Sequence, residues 1–243
     1  MGSMRTILAL LAVGVATAEL HPESDLSTEC FNFPEKNFNR KNCIKDTYGT
    51  SPYTAGGLVE GDMAFDFTLY DLNGDSHTLS KMLEEKPVVL IWGMYTCPAF
   101  EGLVGDYPFD QASYTDEYNV VDEFKDSATF VHLVGPEPHP LTPDTNFDSG
   151  MQKMNYWSTV RQPLNYDDRL TMTKKISSFI HEDALLLPDL FTDNPYNDLV
   201  DPVWCTMGLG ARTAMIVKQD GTVAFTQDWF RKDDLADAIS SLK

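Results

Sequence analysis

Five consecutive apolar residues, Val88-Val89-Leu90-Ile91-Trp92, bounded by Pro87 and Gly93, constrain this chain more than any other stretch. A run so short, closed on both sides by turn residues, reads as a buried strand. A brief loop follows, then Cys97 and Pro98, a proline suited to the first turn of a helix. That order places the Cys97 thiol at a helix N-terminus, where unpaired backbone N–H groups favour the thiolate. A thiolate there is a nucleophile, so the segment points to thiol redox chemistry.

The remaining pattern builds a domain around that strand. Residues 61–70 alternate toward a strand, Asn73-Gly74-Asp75 is a turn, and extended structure resumes at 77–79 before a short helix at 80–85. Gly102, Gly105 and Pro108 keep the helix after Cys97 short or broken. Residues 114–125 set Tyr118, Val121 and Phe124 on one helical face, and 128–134 form a buried strand. Residues 135–164 are long, proline-bearing and aperiodic, as expected of a functional loop. A helix at 167–180, a brief strand at 185–187, a hairpin of 213–217 and 223–226 around Asp220-Gly221, and a closing helix at 232–242 complete the series. Parallel crossovers first and an antiparallel hairpin last make an α/β, thioredoxin-like fold: a central mixed sheet flanked by helices, with Cys97 after the first central strand.

The N-terminal part stands apart. Residues 1–18 carry one charge, Arg5, then an apolar run and Ala16-Thr17-Ala18, the pattern of a cleaved secretory signal too short to span a bilayer. Residues 19–60 read as an irregular extension preceding the domain of 61–243, and the expected location is outside the cell or in the secretory lumen. In that oxidising setting Cys30 and Cys43, close together in a polar segment, are expected to pair. A formal net charge of −19 argues against binding nucleic acid or an anionic membrane surface through a basic patch. Without a Cys-x-x-Cys and with scattered histidines, no metal site is expected.

The site itself excludes two familiar patterns. Phe100 occupies the second cysteine position of a dithiol motif, and Met94 stands where peroxiredoxins place a threonine. Thr96-Cys97-Pro98-Ala99-Phe100, after Leu90-Ile91-Trp92-Gly93, instead resembles the active-site segment of the iodothyronine deiodinases, which carry Thr, selenocysteine, Pro, Pro, Phe. Downstream, Glu137-Pro138-His139-Pro140 resembles that family's Glu-Ala-His-Pro, and Asp168-Arg169 its helix-opening Asp-Arg pair. Pro188, Asp193, Asn197, Gly208 and Arg212 follow in the family's order, so the resemblance spans 61–243.

The resemblance implies a thioredoxin-like fold and reductive removal of iodide from an aromatic ring. Cys97 would be the nucleophile and His139 the proton donor or the partner of a substrate phenol. Glu137 would orient His139. Tyr95, Thr96, Pro98 and Phe100 would line the substrate. Arg212 would hold a substrate carboxylate or else belong to a structural ion pair. Cys205 is either a resolving thiol or a buried structural one. No cofactor is expected to stay bound: the co-substrate is an external thiol reductant, the substrate a small aromatic molecule, iodinated or not. The oligomeric state stays open, a dimer included. Three departures matter. Tyr95 replaces a family cysteine, Gly210 replaces a proline, and the stretch Arg161-Gln162-Pro163-Leu164 lacks the family's second histidine. Two alternatives therefore remain: a thiol peroxidase or general thiol reductase on the same scaffold, and a secreted binding protein that lost catalysis.

Overall fold

A computed structural model of the chain describes residues 20–26, 58–97, 113–137, 163–191, 195–196, 201–207, 212–228 and 230–242. The elements are β1 (Thr68–Tyr70), β2 (Ser76–Thr78), α1 (Leu79–Leu83), β3 (Val88–Trp92), α2 (Ser113–Phe124), β4 (Thr129–Val134) and α3 (Tyr166–Ile176). They continue with β5 (Ala184–Pro188), α4 (Pro202–Met207), β6 (Thr213–Val217), β7 (Val223–Asp228) and α5 (Lys232–Ser240). β1 and β2 form a separate antiparallel hairpin; the other five strands form one sheet in the order β5-β4-β3-β6-β7. β3 runs parallel to β4 and β4 to β5, while β6 is antiparallel to both β3 and β7. A parallel βαβ half joined through β3 to an antiparallel ββα half is the thioredoxin-like arrangement that the element order implied.

Alternation along β3 sorts the core into two layers. Val88, Leu90 and Trp92 face a layer with Val131, Leu133 and Met215, closed by Leu79 and Leu83 of α1, Tyr166 of α3 and Trp204 of α4. Val89 and Ile91 face the opposite layer with Phe130, Ala214 and Ile216, closed by Val120, Val121 and Phe124 of α2 and Leu235 and Ile239 of α5. Every residue of β3 is buried. At roughly 1.5–3 kcal/mol for each large apolar side chain so buried, this strand anchors both layers.

Four local outcomes differ from the sequence reading. The strand expected over 61–70 is confined to Thr68–Tyr70, because Phe65 and Met63 bridge to different partners, His21 and Thr222, and no ladder can form. The helix expected to reach 180 ends at Ile176; its start is capped by Asn165, whose side chain accepts from the Asp168 amide at 2.8 Å. α4 was not expected at all. Residues 20–26 also join the domain: the Glu23 carboxylate accepts from the Thr68 amide at 3.1 Å, and Leu26 enters the core.

The three parallel strands end at one edge of the sheet, and β6, running antiparallel, begins there. Cys97 follows β3, Glu137 follows β4, Asp189 follows β5, and Arg212 precedes β6. The chemistry-bearing residues are gathered by topology.

Candidate functional site

After Trp92 the chain leaves the sheet at Gly93 and turns back on itself, with the Cys97 amide donating to the Met94 carbonyl at 3.0 Å. Cys97 is a free thiol, 2% exposed. Its side chain clusters with Val134 and Ile176, beside Tyr95, Phe179 and Leu186. Tyr95 is half-buried, and the Lys175 ammonium lies 5.1 Å from its ring centroid, within cation–π range.

The loop is clamped from β4. One Glu137 oxygen accepts from the Thr96 amide at 2.7 Å and from the Thr96 hydroxyl at 2.6 Å. The Tyr95 amide also hydrogen-bonds to this carboxylate. Burial raises the Glu137 carboxyl above its ordinary range, and the Thr96 bonds and the charge of Arg169 oppose that rise. Glu137 is thus the anchor of the residue next to Cys97, a role the sequence reading had not given it. The sequence resemblance pairs it with His139, two positions further on and outside the described residues. Two residues before Glu137, Gly135 lies against the Trp204 indole: a Cβ there would sit 2.8 Å from a ring carbon, so only glycine permits this approach.

Arg212 comes from the far side. Its Nη2 donates to the Asp116 carboxylate of α2 at 2.9 Å and its Nε to the Phe230 carbonyl at 3.3 Å. This is the ion-pair role, one of the two expected for it. Burial pushes the guanidinium down from its usual value, while Asp116 and then Cys97 pull it back up. Cys97 is therefore close enough to this cation for the two to interact electrostatically.

Cys205 requires a correction. It is disulfide-bonded, with its partner outside the described residues, so it offers no thiol to resolve an oxidised Cys97. Pro98, Phe100, His139, Gly210, Cys30 and Cys43 all lie outside the described residues, as does any helix beginning at Pro98.

Two buried networks near the site were not anticipated. His132 of β4 places Nδ1 2.9 Å from both oxygens of Glu117 in α2, and Nε2 2.9 Å from the Gly93 carbonyl. Arg169 of α3 donates through Nη1 to Asp201 at 2.7 Å and to the Val134 and Asp189 carbonyls. Asp189 in turn accepts from the amides of Leu190, Val203 and Trp204. Burial, and then the charge of Asp201, raise the Asp189 carboxyl to about 7. The sequence signal for Arg169 was its place in Asp168-Arg169; for His132 it was only a polar residue inside an apolar strand.

No known family profile matches the sequence, and no curated protein matches it. Solved structures do. An uncharacterised conserved protein from Geobacillus kaustophilus aligns over 77% of this chain and 83% of its own, with 10% identity and a TM-score of 0.50. A hypothetical protein from Sinorhizobium meliloti aligns over 77% and 85%, with 12% identity and a TM-score of 0.49. The thioredoxin domain of a thiol-disulfide oxidoreductase from Bacteroides vulgatus aligns over 76% and 97%, with 17% identity and a TM-score of 0.46. At such identities the likeness is one of fold, which the strand order carries independently.

Proposed function

We propose that this chain is a secreted one-cysteine thiol oxidoreductase, with Cys97 the attacking sulfur and an external thiol the reductant. The observation that carries this reading is the placement of Cys97. It is a free thiol at the end of the central strand, beside a threonine clamped by Glu137 and within the field of Arg212. With Cys205 already in a disulfide, the second thiol comes from outside.

A sulfur only 2% exposed favours a small electrophile, and a hydroperoxide is the substrate class that suits it. The thiolate attacks the distal oxygen and the O–O bond breaks. An alcohol or water leaves with one proton, and Cys97 becomes a sulfenic acid. A first external thiol forms a mixed disulfide and releases water; a second restores the Cys97 thiol and leaves as the external disulfide. The second reading, reductive deiodination, is favoured by the Thr96-Cys97-Pro98-Ala99-Phe100 resemblance. There the thiolate takes iodine from an aryl iodide, a proton replaces it on the ring, and two external thiols convert the sulfenyl iodide to thiol, iodide and disulfide.

One experiment tests both. Peroxide consumption and iodide release from an iodinated phenol are followed with excess dithiol, for wild type and Cys97→Ser. Either activity lost in Cys97→Ser supports the oxidoreductase and identifies its substrate. Equal rates in the two proteins, or none in either, overturn it in favour of a binding protein. Under non-reducing conditions iodoacetamide should label Cys97 while Cys205 stays unlabelled until a reductant is added; labelled Cys205 would reopen its resolving role.

A further inference from the structure

Deep under the Cys97 loop lies a histidine–carboxylate pair that the chemistry above leaves unused. His132 is fully buried and Glu117 nearly so, with side chains 0% and 2% exposed. The Gly93 carbonyl can only accept, so His132 carries a proton on Nε2 and donates it there. One further proton lies between Nδ1 and the Glu117 carboxyl. Whichever atom holds it, the pair is neutral overall and both ring nitrogens are satisfied. Such a pair is costly to assemble and far costlier to break one-sidedly.

We propose that Glu117 and His132 are positioning residues for Cys97, acting through the Gly93 carbonyl. Gly93 is the point where the chain leaves the sheet, four residues before the sulfur. His132 fixes that departure from the α2 side, and Glu137 fixes Thr96 from the end of β4. Between these two ties the loop has only Met94 and Tyr95 left to place. β4 is ordered by the sheet and α2 by the apolar layer beneath it, so the pair transfers the rigidity of two packed elements to a turn. The inference rests on the reading of Cys97 as the reactive sulfur.

The test compares the pH dependence of Cys97 alkylation in wild type, Glu117→Gln and the double variant Glu117→Leu/His132→Leu. The double variant removes both polar partners, so no charge is left buried alone. Arg212, Asp116, Glu137 and Lys175, the charged groups around the loop, are untouched in each. The double variant is expected to keep its thermal midpoint yet alkylate at least about tenfold more slowly, with its pH midpoint moved upward as the sulfur drifts from Arg212. Glu117→Gln should stay close to wild type, since the amide can donate to Nδ1 and leave the Gly93 bond intact. A folded double variant with the wild-type profile overturns the proposal. Should it not fold, Glu117→Met, which frees the ring on one side, is expected to move the midpoint upward, and an unmoved midpoint overturns the proposal equally. Wild-type Cys97 that reacts at no pH before unfolding overturns the oxidoreductase reading itself, a result distinct from either.

Discussion

Glu137 and Asp189 are both fully buried carboxylates at the ends of adjacent strands, β4 and β5, yet they hold different things. Glu137 puts one oxygen on the amide and hydroxyl of Thr96, in the loop that bears the reactive sulfur. Asp189 puts its oxygens on the amide of the next residue, Leu190, and on those of Val203 and Trp204 at the start of α4. Burial raises both carboxyls, and the Arg169 charge opposes the rise in each. The difference lies in what moves when the carboxylate is lost. One should release a turn that carries chemistry, the other a helix that carries a wall of the core.

The largest effect should come from the residue the two regions share. Arg169→Met leaves Asp189 and Asp201 buried without their cation, and Asp201 already holds a left-handed backbone with φ 47°. A loss of about 3–5 kcal/mol in urea unfolding is expected. A loss below about 1 kcal/mol would break the claim that one guanidinium serves both regions.

Next comes the direct contrast. Glu137→Ala strands the buried Thr96 amide and hydroxyl, at about 1–3 kcal/mol, and should also slow Cys97 alkylation. Asp189→Ala removes a helix cap, at about 0.5–2 kcal/mol, and should leave alkylation as it is. If both variants slow alkylation equally, the division between loop and wall is wrong.

A gentler perturbation is pH. Asp189 sits at about 7 in the folded chain, against about 3.9 in an unfolded one. Between these values the folded state binds more protons, so this group makes stability fall as pH rises from about 4 to 7 and contributes no slope above. Burial raises Asp201 and Glu137 in the same direction. Asp71, Asp183, Asp220 and Asp234, held low by hydrogen bonds, pull the other way as pH falls. Asp189→Asn isolates the one group: its stability profile between pH 4 and 7 should fall less steeply than that of wild type. An unchanged slope would mean that Asp189 keeps its charge in the folded core.

The same contrast explains what the sequence could and could not disclose. β3, β4 and β6 are legible because each is a mainly apolar run, β7 because Val223-Ala224-Phe225 follows the Asp220-Gly221 turn, and α5 because Leu235 and Ile239 recur at helix spacing. Cys97 is legible because its strand and loop are contiguous with it. α4 is not: Val203, Trp204, Cys205 and Thr206 are weak helix formers, and the cap that starts them comes from Asp189, 14 and 15 positions from the amides it holds. Pro202 at its first position was the local signal that could have revealed it. Glu137 is legible as a site residue beside His139, but its partner in the structure, Thr96, lies 41 positions upstream. The Glu117–His132 pair joins a helix face to a strand, and no periodicity within either segment announces it.

The smallest effect is expected where an ion pair has no burial to amplify it. Lys125 sits 2.9 Å from Asp183 and 3.5 Å from Asp122, the first contact as short as the buried Arg212–Asp116 pair at 2.9 Å. Its Asp183 bond raises the ammonium and lowers the carboxyl, so the attraction exists in the folded state. Yet the side chains are 39% and 45% exposed, where water and salt screen the charges and holding two flexible chains together costs entropy. Lys125→Ala should therefore leave the urea midpoint unchanged within error, at low salt and in 1 M salt alike. A drop comparable to that of Arg169→Met, persisting in 1 M salt, would show that contact geometry outweighs burial. The distinction drawn between buried and exposed carboxylates would then fail, and Glu137 and Asp189 would lose the physical reason for their weight.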